Sequence, residues 1–165
     1  MKKLIAITAA AAAVATGSAV AAPQLAGAAG CSVTWGSQAK TSTTNIPGTV
    51  GAVRAGRHEC FDRLVLDNNR GGLGYSVSYV KQVTQDGSGF AVPLKGGAFL
   101  QVVDKAHAPR RLAMPNVAGY RTFRQVAWAG SFEGYTTVGL GVRARLPFRV
   151  FRTSNHLVVD VAHTW

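Results

Sequence analysis

Alternation between apolar and polar residues is the strongest pattern in the chain from residue 64 onward. Tyrosine and valine alternate with serine at 75–79, and apolar residues alternate with glycine at 138–142. A period of two is typical of β-strands, because successive side chains point to opposite faces of a sheet. The same alternation predicts a strand at 148–151, and the short runs at 64–67, 99–103, 120–128 and 157–161 fit strands as well.

Clusters of glycine, serine and asparagine separate these runs and predict turns at 68–72, 86–89, 95–97 and 153–155. Apart from the N-terminal segment, no window of convincing length shows helical periodicity. Seven or eight short, mostly antiparallel strands with this spacing predict an all-β domain, either a β-sandwich of two sheets or a small barrel. The segment 105–117 contains two prolines and two adjacent arginines and is predicted to be a long surface loop.

The N-terminal segment has the three parts of a secretory signal peptide. Two lysines follow Met1, an uncharged run covers 4–15, and small residues dominate through 22. A transmembrane anchor is the alternative, but a span needs about 20 strongly apolar residues and this run is mostly alanine. We therefore expect residues 1–28 to be a signal peptide, cleaved between about residues 22 and 28, and the protein to work outside the cytoplasm.

The rest of the chain has the length of one ordinary domain. The polar residues from Ser37 to Gly48 predict a loop or mobile part of an N-terminal arm at 29–48, and the domain proper covers 49–165. After the signal segment, no run is apolar enough to span a bilayer.

The chain is strongly basic. It has 18 lysines and arginines, 7 acidic residues and a formal net charge of +11, which falls to +9 if the two lysines of the signal segment are removed. A basic surface attracts polyanions, and an exported protein rarely meets nucleic acid. The expected partners are therefore peptidoglycan carboxylates, anionic wall polymers or anionic lipid head groups, unless the charge serves only solubility.

The two cysteines, Cys31 and Cys60, predict a disulfide, because exported proteins fold in oxidising surroundings. The bridge would attach the segment around Trp35 to the first long strand. The alternative is a lipoprotein with Cys31 as its acylated first residue, since small residues precede it.

The densest local pattern is the block from Val53 to Arg63, which combines charge, a glycine and a cysteine. Two interpretations stay open: a turn whose side chains lock one another around the disulfide, or an arginine-lined binding edge. On the second interpretation, the candidate binding residues are Arg54, Arg57, His58 and Arg63.

A second series combines basic and aromatic residues. Arginine suits bidentate capture of carboxylate or phosphate, and aromatic faces stack on sugars and cations. Alternation would put the arginines at 143 and 145 on one face of a strand, in a stripe if neighbouring strands align; the other interpretation is that they simply occupy the solvent face. The candidates from this series are Tyr120, Arg121, Arg124, Arg143 and Arg145.

Enzyme and metal signatures are mostly missing from the sequence. It has no nucleophile elbow, no phosphate loop and no paired histidine or cysteine spacing of a metal site. We expect no catalytic residue, no metal and no cofactor. A wall-acting hydrolase centred on Glu59, Asp62 or His58 remains an alternative, although ion pairs with Arg57 and Arg63 are the simpler role for those carboxylates.

Five segments carry a family resemblance: Trp35-Gly36-Ser37, the block 53–63, Gly119-Tyr120-Arg121, Arg149-Val150-Phe151 and the closing segment 157–163. Together they resemble the AMIN-like domain of actinobacterial exported proteins, over most of the chain after the polar arm. A more distant similarity to AMIN domains proper rests on two apolar strands that end at Asp67 and Asp160. This repeated pattern suggests equivalent positions in two related sheets.

The resemblance implies a β-sandwich of two roughly symmetrical sheets and a targeting role in the bacterial envelope, with peptidoglycan as the associated ligand. No catalytic residue is implied. We therefore predict an exported, non-catalytic domain that binds peptidoglycan or an anionic wall polymer, either secreted or associated with the cell wall. A module that docks on another envelope protein through an exposed strand edge is the alternative.

Overall fold

The computed structural model describes residues 30–44, 46, 48–70 and 74–165. The predicted signal peptide and its cleavage region lie outside these residues, as does part of the turn predicted at 68–72. Residues Cys31–Trp165 form one compact unit. Within the described ranges, no helix is long and apolar enough to cross a membrane.

Nine strands form among the described residues, slightly more than the seven or eight predicted, and every pairing between them is antiparallel. The five-stranded sheet has the order β1-β4-β5-β7-β6, and the four-stranded sheet has the order β2-β3-β9-β8. The strands are β1 (Lys40–Ser42), β2 (Thr49–Arg57), β3 (Phe61–Arg70), β4 (Tyr75–Val80), β5 (Ala98–Asp104), β6 (Phe123–Phe132), β7 (Tyr135–Val142), β8 (Phe148–Thr153) and β9 (His156–Ala162).

The inner faces of the two sheets share one apolar core. Leu64, Leu66 and Phe148 of the four-stranded sheet are fully buried in the same cluster as Leu100 and Leu140 of the five-stranded sheet. Burying such a side chain stabilises the fold by about 1.5–3 kcal/mol. The all-β fold predicted from alternation and the two-sheet sandwich implied by the family resemblance are therefore confirmed.

The outer face of the five-stranded sheet is covered by residues 81–97. Val83 and Val92 from this segment bury against Ala129 of β6 in a second, smaller apolar cluster. We call 81–97 the covering segment.

Glycines in β7 allow the covering segment to lie close to the sheet. A Cβ at Gly139 would lie 2.8 Å from Leu94 Cδ1 and 3.1 Å from Val83 Cγ1, and a Cβ at Gly141 would collide with the carbonyl oxygen of Lys95. Glycine is the only residue without that atom. The glycines that alternate with apolar residues in β7 thus mark a contact between backbone and loop.

The block 53–63 differs from the predicted turn. Val53–Arg57 is the end of β2, residues 58–60 form the connection, and β3 begins at Phe61. The hairpin is hard to predict from the sequence because charged residues and a glycine occupy much of β2. Register with β3 supplies its pairing, with Ala55 opposite Leu64 and Arg57 opposite Asp62.

The two strands that end in aspartate are neighbours, so their predicted placement in two related sheets is wrong. β3 and β9 pair directly, with Leu64 opposite Val159 and Leu66 opposite Leu157. Nor are the two sheets equal, since one has five strands and the other four.

Two predicted loops have more structure than expected. The polar arm contains β1, which pairs with β4 at the edge of the five-stranded sheet. The segment 105–117 forms no strand, as predicted, but it is not a simple surface loop, because Ala106, Ala108 and Leu112 are buried in the main core.

Candidate functional site

The outer face of the four-stranded sheet carries a group of arginine and aromatic side chains, which we call the arginine–aromatic face. Alternate residues of β3 and β8, such as Leu64 and Phe148, are buried in the core, so the residues between them point outward. The members of this face are Trp35, Arg54, Phe61, Arg63, Arg149 and Phe151.

Asp160 is at the centre of this face. It lies on β9 directly opposite Arg63 of β3 on one side and Arg149 of β8 on the other. Nε and Nη2 of Arg63 donate to its two carboxylate oxygens at 2.6 and 2.9 Å, and Nε of Arg149 donates at 2.8 Å. The Asp160 side chain is fully buried beneath these groups. The cations Arg63 and Arg149 thus share the single carboxylate of Asp160, so these three side chains together keep a net positive charge.

Aromatic rings hold the two guanidinium groups in place. The Cζ atom of Arg149 lies 4.4 Å from the ring centre of Trp35, 5.4 Å from Phe61 and 5.3 Å from Phe151. The Cζ atom of Arg63 lies 5.2 Å from Phe61 and 5.4 Å from Phe151. Each such cation–π contact contributes about 0.5–1 kcal/mol at an exposed site. The side chains are therefore ordered before any ligand arrives.

Some donors of these arginines are not used within the protein. No described residue accepts a hydrogen bond from Nη1 or Nη2 of Arg149, or from Nη1 of Arg63. Hydrogen bonding to Asp160 raises the pKa of Arg63 above its ordinary value, so the group stays charged. The face can consequently bind a carboxylate or phosphate through fixed N–H groups.

Arg54 and Asp67 form a second ion pair on the same face. Nε and Nη2 of Arg54 each donate to a carboxylate oxygen of Asp67 at 2.6 Å, and this hydrogen bonding raises the pKa of Arg54. His156 Nε2 lies 3.4 Å from Asp67 Oδ1. Arg54 and Arg63 are the two predicted binding residues that lie on this face, and Arg54 is the more exposed.

The disulfide holds Trp35 over this face. Cys31 and Cys60 are bonded, which confirms the predicted pairing and leaves Cys31 no thiol for a lipid. Trp35 lies edge-on to Phe61, with ring centres 5.7 Å apart. The backbone N–H of Phe148 donates to the Gly36 carbonyl at 2.9 Å, which fixes the same segment to the edge of β8.

Five of the predicted site residues gather around the disulfide end of the sandwich. His58 stacks on Phe61 with ring centres 4.4 Å apart, which links this end to the arginine–aromatic face. Arg57 lies over the Tyr120 ring at 5.8 Å. Arg121 donates to the Glu59 carbonyl at 3.4 Å, and Arg124 donates to the Tyr120 carbonyl at 3.1 Å.

Arg143 and Arg145 do not share a strand face, contrary to expectation. Both follow β7, which ends at Val142, and each holds a terminal segment in place. Arg143 Nη2 donates to the His163 carbonyl, and Arg145 Nη2 donates to the Ser37 carbonyl at 3.2 Å. The single arginine stripe predicted from alternation therefore does not form.

Asp62, one of the two carboxylates named for the hydrolase alternative, is fully buried, and both of its oxygens already have partners. Its Oδ2 accepts the backbone N–H groups of Thr122 and Phe123 at 2.6 and 3.0 Å, and its Oδ1 lies 3.2 Å from His163 Nε2. It joins three segments of the sandwich. The expected pairing of these carboxylates with Arg57 and Arg63 is wrong, since Asp62 contacts His163 and Arg63 pairs with Asp160.

Sequence reasoning did not select four residues of the face as binding candidates: Trp35, Phe61, Arg149 and Phe151. The alternation at 148–151 places Arg149 and Phe151 on one face of a strand, but it does not show that this face points away from the core. Nothing local could have indicated that Asp160 would lie between two arginines, since Arg63 is 97 residues away.

Comparison with known proteins identifies the family. No curated protein and no solved structure is significantly similar to the chain. The profile of the AMIN-like domain matches residues 48–163, which includes β2 to β9. Domains of this family are associated with the cell envelope and are generally non-catalytic, and the disulfide indicates an extracytoplasmic location. The chain belongs to the AMIN-like domain family.

Proposed function

We propose that this protein is an exported, non-catalytic domain that binds the cell envelope through its arginine–aromatic face. The ligand class is peptidoglycan or an anionic glycopolymer of the wall. Carboxylate or phosphate groups of the polymer accept hydrogen bonds from Arg63 and Arg149, and its sugar rings pack on Trp35, Phe61 or Phe151. After export the protein is secreted or stays associated with the wall.

The observation that carries this proposal is the state of Arg149. Its guanidinium is stacked on Trp35 and tied to buried Asp160 by Nε alone, so both Nη groups remain without a described partner. A guanidinium group that is already ordered loses little side-chain entropy when it binds a ligand. The arrangement therefore supports recognition of an anion beside an apolar or sugar surface.

The distribution of charge supports the same ligand class. Four of the seven carboxylates, at positions 62, 67, 104 and 160, are paired with arginine or histidine inside the domain. The excess positive charge lies mainly on exposed side chains, including Arg57, Arg121 and Arg124 near the face. A polyanion is attracted over a distance of about 8–10 Å in physiological buffer.

A pull-down with insoluble cell wall tests the proposal. The exported chain is mixed with wall sacculi, before and after removal of their anionic polymers, across a series of salt concentrations. We expect binding that weakens as salt rises. Binding that remains after polymer removal assigns peptidoglycan, and binding that is lost assigns the anionic polymer.

Matched variants locate the binding surface. Arg149→Lys keeps the charge but removes the fork, and we expect about a five- to tenfold loss of wall affinity. Lys95→Gln removes one exposed charge from the covering segment on the opposite side of the sandwich and should change affinity less than twofold. No wall binding by the wild-type chain at any salt concentration, or equal effects of the two variants, would contradict the proposal.

A further inference from the structure

We infer that the free edge of β2 is a docking site for an extended, acidic peptide segment of a partner protein. The site shares only Arg54 with the arginine–aromatic face, because it uses the backbone edge of β2 and the adjacent residues 110–113. It goes beyond polymer binding and does not depend on it.

β2 is an edge strand, and the described residues cover only the start of its outer edge. In the order β2-β3-β9-β8 it pairs with β3 alone. The backbone of His107 exchanges hydrogen bonds with Val50 N–H and the Gly48 carbonyl, both at 2.9 Å. Beyond that point, no backbone hydrogen bond between described residues reaches the open side of 51–57. Seven residues of strand, about 23 Å long, thus remain able to pair.

A groove runs beside this open edge. Its volume is about 230 Å³, and one wall is formed by Gly51, Ala52 and Val53 while the other is formed by 110–113. Leu112 in the second wall is buried in the main core, which fixes the position of that wall. An added strand would lie next to β2 and place alternate side chains in the groove.

The charges around the groove select the partner. Arg110 and Arg111 line it, no carboxylate does, and both arginines are exposed without a described ion-pair partner. Arg57, at the far end of β2, also has no ion pair among the described residues. An acidic strand would therefore meet three cations along its length.

The same charges disfavour a second copy of this chain as the occupant. Two β2 edges brought together would align arginines from both chains, and like charges opposite each other destabilise a strand pair. Arginine at an edge protects a sheet from self-association while still allowing an acidic strand to add. Charge complementarity thus favours a different, acidic protein.

A synthetic peptide tests the inference with the exported, disulfide-bonded chain. The probe is an eight-residue peptide of alternating glutamate and valine with blocked ends, titrated while backbone amide NMR signals are recorded. We expect saturable shifts that are largest at the amides of 51–57 and 110–113. A matched peptide with lysine in place of glutamate should not bind, and a probe with every amide N-methylated should lose binding because it has no N–H group to donate to the edge of β2.

Variants separate the charge contribution from general electrostatics. Arg110→Gln with Arg111→Gln should weaken the probe about fivefold, whereas Lys81→Gln with Lys95→Gln removes the same charge elsewhere and should weaken it less than twofold. The inference is overturned if the amides of 51–57 do not shift, if the N-methylated probe binds equally well, or if the two double variants behave alike. Wall binding plays no part in this readout, so either proposal can fail alone.

Discussion

The two outer faces of this sandwich are shielded from water in different ways. On the five-stranded sheet, glycines at 139 and 141 let the covering segment pack directly on the strands. On the four-stranded sheet, arginines stack on aromatic rings around a buried aspartate. The first arrangement uses up its surface in folding, whereas the second remains half-exposed with unused hydrogen-bond donors. The outer face of the four-stranded sheet is therefore the one that keeps exposed hydrogen-bond donors.

The largest expected effect comes from the disulfide, which attaches the Trp35 segment to the connection before β3. Replacing both cysteines, Cys31→Ser with Cys60→Ser, should lower the free energy of unfolding by about 3.5 kcal/mol. The reason is that the bridge joins two residues that are 29 positions apart in the sequence and so restricts the unfolded chain. Chemical denaturation measures this loss. The Trp35 side chain should also become more accessible to fluorescence quenchers, while the covering segment keeps its contacts. An unchanged Trp35 environment would contradict the role given to the bridge.

Gly141→Ala tests the covered face. The new methyl group would collide with the Lys95 carbonyl, so we expect a loss of about 3 kcal/mol in unfolding free energy. Gly56→Ala is the matched control, because a Cβ there has only an ordinary contact, 3.7 Å from His58 Nε2. That control should change stability by less than about 0.5 kcal/mol. Equal effects would mean that the covering segment does not need the glycine.

Asp104 and Arg152 form an ion pair in the interior, which can be compared with the Asp160 ion pairs on the outer face. Burial raises the pKa of Asp104 to about 6, although pairing with Arg152 opposes that rise. The folded state then binds the proton more tightly than the unfolded state, whose carboxyl has a pKa of 3.8. Stability from this group is therefore greatest below about pH 4 and falls as pH rises to about 6, by up to about 3 kcal/mol.

Asp104→Asn should remove that part of the pH dependence, because the amide does not titrate. Denaturation at several pH values between 4 and 7 gives the difference between variant and wild type. Asp67→Asn, which changes the more exposed ion pair with Arg54, should keep the wild-type decline in stability across this pH range. A wild-type profile that Asp104→Asn leaves unchanged would show that burial of this carboxyl does not govern the effect.

Asp160→Asn is expected to have a smaller effect, about 2 kcal/mol. The change leaves Arg63 and Arg149 without their shared anion, but these arginine side chains are 27% and 40% exposed, so water compensates in part. Asp67→Asn should cost less than about 1 kcal/mol, since Arg54 is 57% exposed. A larger loss in Asp67→Asn than in Asp160→Asn would contradict the central position of Asp160.

Local sequence patterns predicted most strands of the fold. β4 and β7 alternate cleanly, because one side of each strand faces the main core and the other side carries small or polar residues. β2 was missed, since Arg54, Gly56 and Arg57 are typical of a turn and the strand is defined by pairing with β3.

The candidate site was only partly predictable. Arg54 and Arg63 were selected from the block that also contains Cys60, and both lie on the arginine–aromatic face. Their partners could not be read locally, because Asp160 reaches Arg63 only through the β3–β9 register. The predicted stripe through Arg143 failed for a simpler reason, as β7 ends one residue earlier.

NMR mapping of a bound wall fragment tests the central claim most directly. The chain has three tryptophans, and only Trp35 lies on the arginine–aromatic face, whereas Trp128 packs against the core and Trp165 donates its indole N–H to the Arg145 carbonyl. Titration with a soluble anionic wall fragment should shift the Trp35 indole and the Nε–H signals of Arg63 and Arg149. Shifts confined to the covering segment, or none at all, would contradict the account.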